Sequence, residues 1–289
     1  MDAFAEYQPR ARRIELASRG GAMAALDFGP EDRPVDIVFS HANGFNARTY
    51  RTILAPLAAE FRILAPDLRG HGASTLPAEP QDWPGWTGFA ADLVALLAAA
   101  TDRPVVLAGH SLGATTSLLA AGAAPERMRA LVLVEPVLFD RTAEPIDLSA
   151  LPITRGALRR RATFPDRAAA LAAYRGRGAF VGWSEAQLAD YVAAGFHDTA
   201  DGEVTLACRP AWEAATYAHH DYDPWAAFAA VRCPVRILAG GRESSVGAQA
   251  RELAARGGAR LDLVEGATHF LPMQRPELVR EALREAAAG

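Results

Sequence analysis

Cysteine is scarce: only Cys208 and Cys233 occur in 289 residues. That argues against a disulfide framework, and a thiolate metal site has no second cysteine pair to draw on. Apolar runs of bilayer length are also missing. The longest stretch, FAADLVALLAAA, is short and contains Asp92. The opening MDAFAEYQPRARRIEL has no apolar core of signal-peptide length. The expectation is therefore a cytoplasmic protein with reduced thiols. No block of like charges exists, and the formal net charge is only -4. Neither nucleic acid nor an anionic membrane is expected as a partner, which leaves a small-molecule substrate.

Half of the residues are apolar and 22% are charged, which fits a globular enzyme and not a disordered chain. Short apolar runs alternate with helical patterns. VDIVFSH, FRILAPD, PVVLAGH, ALVLVEP, PVRILAG and RLDLVEG read as strands, preceded by a pair, RRIELAS and AMAALDFG. Strands that are apolar throughout and separated by helices predict a parallel sheet covered on both faces. Helices are expected over RTYRTILAPLAAE, GFAADLVALLAAA, GATTSLLAAGAAP and GAQARELAARGG, with a last one from Pro276. From about Asp140 to Trp225 this rhythm breaks, and only amphipathic helical patterns are legible, one opened by a Ser184–Gln187 capping box. The reading is a core over 1–139 and 226–289 with a helical insertion over 140–225.

The chemistry concentrates in loops after strands. Gly109-His110-Ser111-Leu112-Gly113 joins a buried strand to a helix. Glycines at both ends permit a sharp turn that lifts the serine hydroxyl above the sheet, beside the N–H groups of a helix start. The turn His41-Ala42-Asn43-Gly44 stands where a second oxyanion donor would come from. In PDLRGHGAS, Asp67 and Arg69 are expected to tie loops together, with His71 structural. His269, in VEGATHFLP after the last strand, is the expected general base for Ser111.

The strand order, this Gly109–Gly113 elbow, the DLRGHG loop and the His269 loop resemble the α/β-hydrolase superfamily. The resemblance implies an eight-stranded, mostly parallel sheet flanked by helices, with a helical cap inserted after the sixth strand. It implies a Ser111–His269–acid triad, an oxyanion hole from the N–H groups of Leu112 and Asn43, and no cofactor or metal. One departure stands out. The family's aspartate after the seventh strand is missing from LAGGRESSVG, where counting gives Glu243 or Ser244. Glu135, at the end of the sixth strand, is favoured as the acid, with Glu243 as the alternative. His110, Trp183, Trp212 and Tyr217 are expected to contribute to a substrate pocket, Tyr191 with them. The function implied is a serine hydrolase of ester, thioester or related acyl bonds. A carbon–carbon bond hydrolase or lyase on the same triad, or a non-catalytic ligand-binding relative, are the alternatives.

Overall fold

The computed structural model describes residues 7–138, 147–246, 252, 254–255 and 258–289. The helix expected over 247–258 and the start of the expected insertion fall largely outside the described residues.

Eleven strands are described: β1 Arg10–Leu16, β2 Gly21–Phe28, β3 Ile37–Ser40, β4 Ile63–Pro66, β5 Val105–His110, β6 Met128–Val134, β7 Thr163–Phe164, β8 Phe196–Asp198, β9 Val204–Leu206, β10 Val235–Gly240 and β11 Arg260–Val264. Eight build one sheet in the order β1-β2-β4-β3-β5-β6-β10-β11. β2 runs antiparallel to β1 and β4, and every pairing from β4 to β11 is parallel. The central strands are apolar because they have two faces to bury. Along β5, Val106 and Ala108 enter one core with Phe39, Tyr50 and Leu283, while Val105 and Leu107 enter the other with Leu93, Leu118 and Ile237. Alternate residues thus feed opposite layers, as the pleat requires.

The main covering helices are α1 Arg51–Leu54, α2 Trp86–Ala100 and α3 Leu112–Ala123, with the C-terminal helix Pro276–Ala288. The helix expected over 48–60 is only one α turn, flanked by 3-10 turns at Ala47–Tyr50 and Ala55–Leu57. Pro56 removes the N–H that a longer helix would need.

Between β6 and β10 lie α4 Pro152–Leu158, α5 Arg167–Tyr174, α6 Glu185–Ala194, α7 Pro210–Ala218 and α8 Pro224–Ala230. The Ser184–Gln187 capping box is formed, with reciprocal bonds of 3.2 and 2.9 Å. The expectation of a purely helical insertion needs correction: β7, β9 and β8 form a three-stranded antiparallel sheet. These strands have two or three residues each, too few for alternation to register in a sequence. The boundary expected at 225 also moves. It falls inside α8, whose Ala227 packs so closely on Gly122 of α3 that a Cβ at Gly122 would stand 3.0 Å from it. α8 therefore belongs with the core helices.

Candidate active site

The carboxyl ends of β3, β5, β6, β10 and β11 converge at one edge, where open α/β sheets place their ligands. β5 delivers Ser111 there. Its backbone is left-handed, φ 54° and ψ -117°, a conformation that costs a non-glycine residue about 1–3 kcal/mol. The flanking glycines allow it. A Cβ on Gly113 would lie 2.2 Å from the Ser40 carbonyl oxygen, and one on Gly109 would lie 2.5 Å from the Gly113 carbonyl carbon. Two backbone bonds hold the turn: Ser111 N–H donates to Val134 (2.9 Å) and Thr115 N–H donates to Ser111 (3.0 Å). Leu112 is the first residue of α3, where an N–H has no carbonyl partner within the helix.

Ser111 Oγ lies 3.0 Å from His269 Nε2, and His269 Nδ1 lies 3.2 Å from Glu135 Oε2. Glu135 follows β6, is fully buried, and is also left-handed with φ 51°. Its carboxylate is surrounded by donors. The Gly240 N–H and the Ser244 hydroxyl reach Oε1, and the Ser245 N–H reaches Oε2 at 2.9 Å. The Ser244 hydroxyl also stands 2.9 Å from Oε2. A buried anion requires this degree of satisfaction. Glu243, the alternative acid, is exposed. Ser244, which stands at the position of the missing aspartate, and Ser245 are donors to Glu135, a role the sequence analysis does not assign them; the signal is the pair of hydroxyls in that loop.

Three buried histidines brace the loops around this relay. His110 is fully buried, so it does not line a pocket as expected. Its Nδ1 accepts from the Tyr50 hydroxyl at 2.7 Å and its Nε2–H donates to the His269 carbonyl at 2.8 Å. Tyr50 also accepts the Ala42 N–H at 3.2 Å, which ties the β3 turn to the His269 loop. His41 donates from Nδ1 to the Ala42 carbonyl and accepts the Leu68 N–H on Nε2. His71 donates from Nδ1 to the Arg69 carbonyl and accepts the Gly44 N–H on Nε2 at 3.0 Å. Burial holds all three below the ordinary imidazole range, His71 at about 4, so each stays neutral in its bridging tautomer.

Asp67 and Arg69 do join loops. Asp67 accepts the Ala47 and Ala73 N–H groups (2.8 and 3.0 Å), and burial pushes its carboxyl up to about 6. Arg69 forks onto Asp92 at 2.6 and 2.7 Å.

Of the other expected pocket residues, Trp212 is also misassigned. It is 1% exposed, donates Nε1–H to the Arg69 carbonyl at 3.1 Å, and packs edge-on against Trp83. Tyr217 lies in α7, and burial pushes its hydroxyl up. Trp183 packs edge-on against Phe45 (5.3 Å) and Phe270 (6.4 Å), and Phe270 meets His269 at 5.8 Å. That makes an aromatic wall beside His269. A surface groove of about 660 Å³ lies along Trp183, Gln187, Met273 and Arg280; Ser111, His269 and Glu135 are not among its lining residues. Among the described residues no His, Cys, Asp and Glu cluster fits a metal ion, and no helix is long and apolar enough to cross a membrane.

The chain is similar to proteins already known. A 2-(acetamidomethylene)succinate hydrolase from Mesorhizobium japonicum is 28% identical over 86% of both chains. The lipase LipV of Mycobacterium tuberculosis is 36% identical over 38% of this chain. The chain spans less than half the length of such partial relatives, 40% for the lipase. The crystal structure of an E-2-(acetamidomethylene)succinate hydrolase, 24% identical, superposes over 98% of this chain and 100% of its own with a TM-score of 0.82. The Alpha/beta hydrolase family model matches residues 37–282, from the first residue of β3 into the C-terminal helix. The chain therefore belongs to the alpha/beta hydrolase family.

Proposed function

We propose that the protein is a serine hydrolase that cleaves ester, thioester or related acyl bonds of a small molecule without a cofactor. The observation that carries this reading is the continuous alignment Ser111 Oγ–His269 Nε2 and His269 Nδ1–Glu135 Oε2, at 3.0 and 3.2 Å. Ser111 Oγ attacks the carbonyl carbon while His269 Nε2 takes the hydroxyl proton. Glu135 accepts the Nδ1–H, keeps the productive tautomer, and stabilises the imidazolium. The developing oxyanion is met by the Leu112 and Asn43 N–H groups. Collapse breaks the acyl bond, and the leaving group takes the proton from Nε2. Water, deprotonated by the same imidazole, then releases the acid and restores Ser111.

The segment between β6 and β10 acts as the cap that sets specificity, with its Trp183 packed on Phe45 and on Phe270, the neighbour of His269. The related hydrolase is named for a succinate derivative with an acetamido group, so small acyl compounds bearing carboxylates belong among the substrates tried. A panel of nitrophenyl esters, acyl-CoA thioesters and acetamido acids, run with wild type and Ser111→Ala, tests the proposal. Turnover of at least one class is expected, reduced about 10³-fold or more in the variant. Turnover that survives Ser111→Ala places the chemistry elsewhere. Ligand binding without turnover favours a non-catalytic receptor.

A further inference from the structure

The Asn43 N–H can serve as an oxyanion donor only if the short turn after β3 is rigid. The turn is built on Gly44 at φ 73°, a conformation with little intrinsic stiffness. The core supports it from below, through His71 Nε2 on the Gly44 N–H and Tyr50 on the Ala42 N–H. The opposite side is also held by residues from between β6 and β10. Asn43 Nδ2 donates to the Glu213 carbonyl at 3.1 Å, and the Tyr191 hydroxyl donates to the Gly44 carbonyl at 3.3 Å. The Glu213 carboxylate presses on the turn itself: a Cβ at Gly44 would stand 2.6 Å from its Oε1. Arg160 links the two grips. One arm bonds the Glu213 carboxylate, and the other donates to the Tyr191 hydroxyl at 2.7 Å.

The Arg160–Glu213 pair is largely withdrawn from water, with side chains 20% and 8% exposed. Replacing a buried ion pair by apolar residues of the same volume is often neutral or stabilising, so the pair is weak evidence of stabilisation. What it adds is direction. Here that direction is aimed at the two residues that follow Ala42 in the turn, one of which bears the donor N–H.

We propose that Arg160, Glu213 and Tyr191 are positioning residues that clamp the Asn43–Gly44 turn from the inserted segment, so that the oxyanion hole is complete only when that segment is seated. This inference rests on the serine-hydrolase reading of the same site. The inserted segment then does more than select substrates, since it completes the site that stabilises the transition state.

The test uses the full chain, the nitrophenyl ester it turns over fastest, and an alkyl trifluoromethyl ketone. The ketone is captured by Ser111 as a hemiketal whose oxygen occupies the hole. Tyr191→Phe and Glu213→Gln are expected to lower kcat about 10–100-fold, less than or equal to the loss of a whole donor. KM should stay within about threefold, because the ester's ground state does not yet load the hole. Ketone affinity should fall by the same factor as kcat. The pH midpoint of the rate should not move, since His269 and Glu135 are untouched. A structural defect alone would not tie ketone affinity to kcat in this way. The clamp is refuted if both variants keep kcat within threefold, or if kcat falls while ketone affinity does not. Should Glu213→Gln fail to fold, Tyr191→Phe, which deletes one oxygen, decides alone. A wild-type protein that neither cleaves the ester nor captures the ketone refutes the serine-hydrolase reading as well. An active wild type with unaffected variants refutes only the clamp.

Discussion

The loops after β6 and β10 are neighbours at the same sheet edge, and each carries a left-handed glutamate, φ 51° at Glu135 and φ 48° at Glu243. Their fates are opposite. Glu135 is wholly buried and faces His269, while Glu243 is exposed. Glu243 turns its loop so that the next two residues, Ser244 and Ser245, point hydroxyl and N–H groups at Glu135. One loop thus supplies the carboxylate and the other supplies its donors. The position of the acid in such a relay depends on where enough donors converge to hold a buried anion, and less on which strand precedes it.

The most severe way to break this comparison is to neutralise each glutamate in turn. Glu135→Gln is expected to lower kcat about 10³–10⁴-fold, because an amide cannot stabilise the imidazolium. Glu243→Gln should leave kcat within about twofold. Steady-state kinetics on one ester checks both, and equal losses would erase the distinction between the loops. A sharper version moves the acid across. Adding Ser244→Asp to Glu135→Ala should regain about tenfold over the single variant, since base catalysis with an oriented imidazole is worth about 10²–10⁴ in full. No gain would mean that the β10 loop cannot reach His269 Nδ1.

The comparison extends to the histidines, one of which gains a proton in the proposed turnover while the buried ones stay neutral. His71, held at about 4 against an ordinary 6.5, binds fewer protons folded than unfolded between those values. Its contribution is complete above pH 6.5 and is lost as pH falls toward 4, on the order of 3 kcal/mol. Asp67 acts in the opposite sense: raised from 3.8 to about 6, it takes up its proton in the folded state first and favours folding as pH falls through that window. Urea unfolding from pH 7 to 4 should show a shallower loss of stability in His71→Gln than in wild type. The same slope in both would remove His71 from the balance. A further effect on stability is expected from Ser244→Ala, which takes one hydroxyl from a buried carboxylate. A loss of about 1.5–3 kcal/mol in the same unfolding experiment at pH 7 is predicted, with Glu243→Gln near zero.

Much of the fold is legible in the sequence alone. The central strands announce themselves because burial on both faces leaves no polar residue in IVF or VVLAG, and the turns that follow them carry Asn43 and Ser111, while His269 follows the edge strand β11. Preference for Glu135 over Glu243 came from the same logic, since a carboxylate leaving an apolar strand is already halfway desolvated. What stayed hidden was pairwise. Nothing in GHSLG says that His110 faces inward to bond Tyr50 and the His269 carbonyl, because its partners are 60 and 159 residues away in sequence. Trp212 looked like a pocket wall and is instead a buried strut to the Arg69 carbonyl. The short strands β7–β9 are fixed by the packing around them, which local patterns do not record.

The central claim, that Ser111 is a nucleophile activated by His269 and Glu135, is tested most directly by its rate of covalent modification. A fluorophosphonate probe, followed by peptide mapping by mass spectrometry, reports both the residue and the rate. The account predicts a single adduct on Ser111, absent in Ser111→Ala, formed at the wild-type rate in Glu243→Gln and slowed about 10³-fold or more in Glu135→Gln. An adduct on another residue, or a Glu135→Gln protein labelled as fast as wild type, would contradict it.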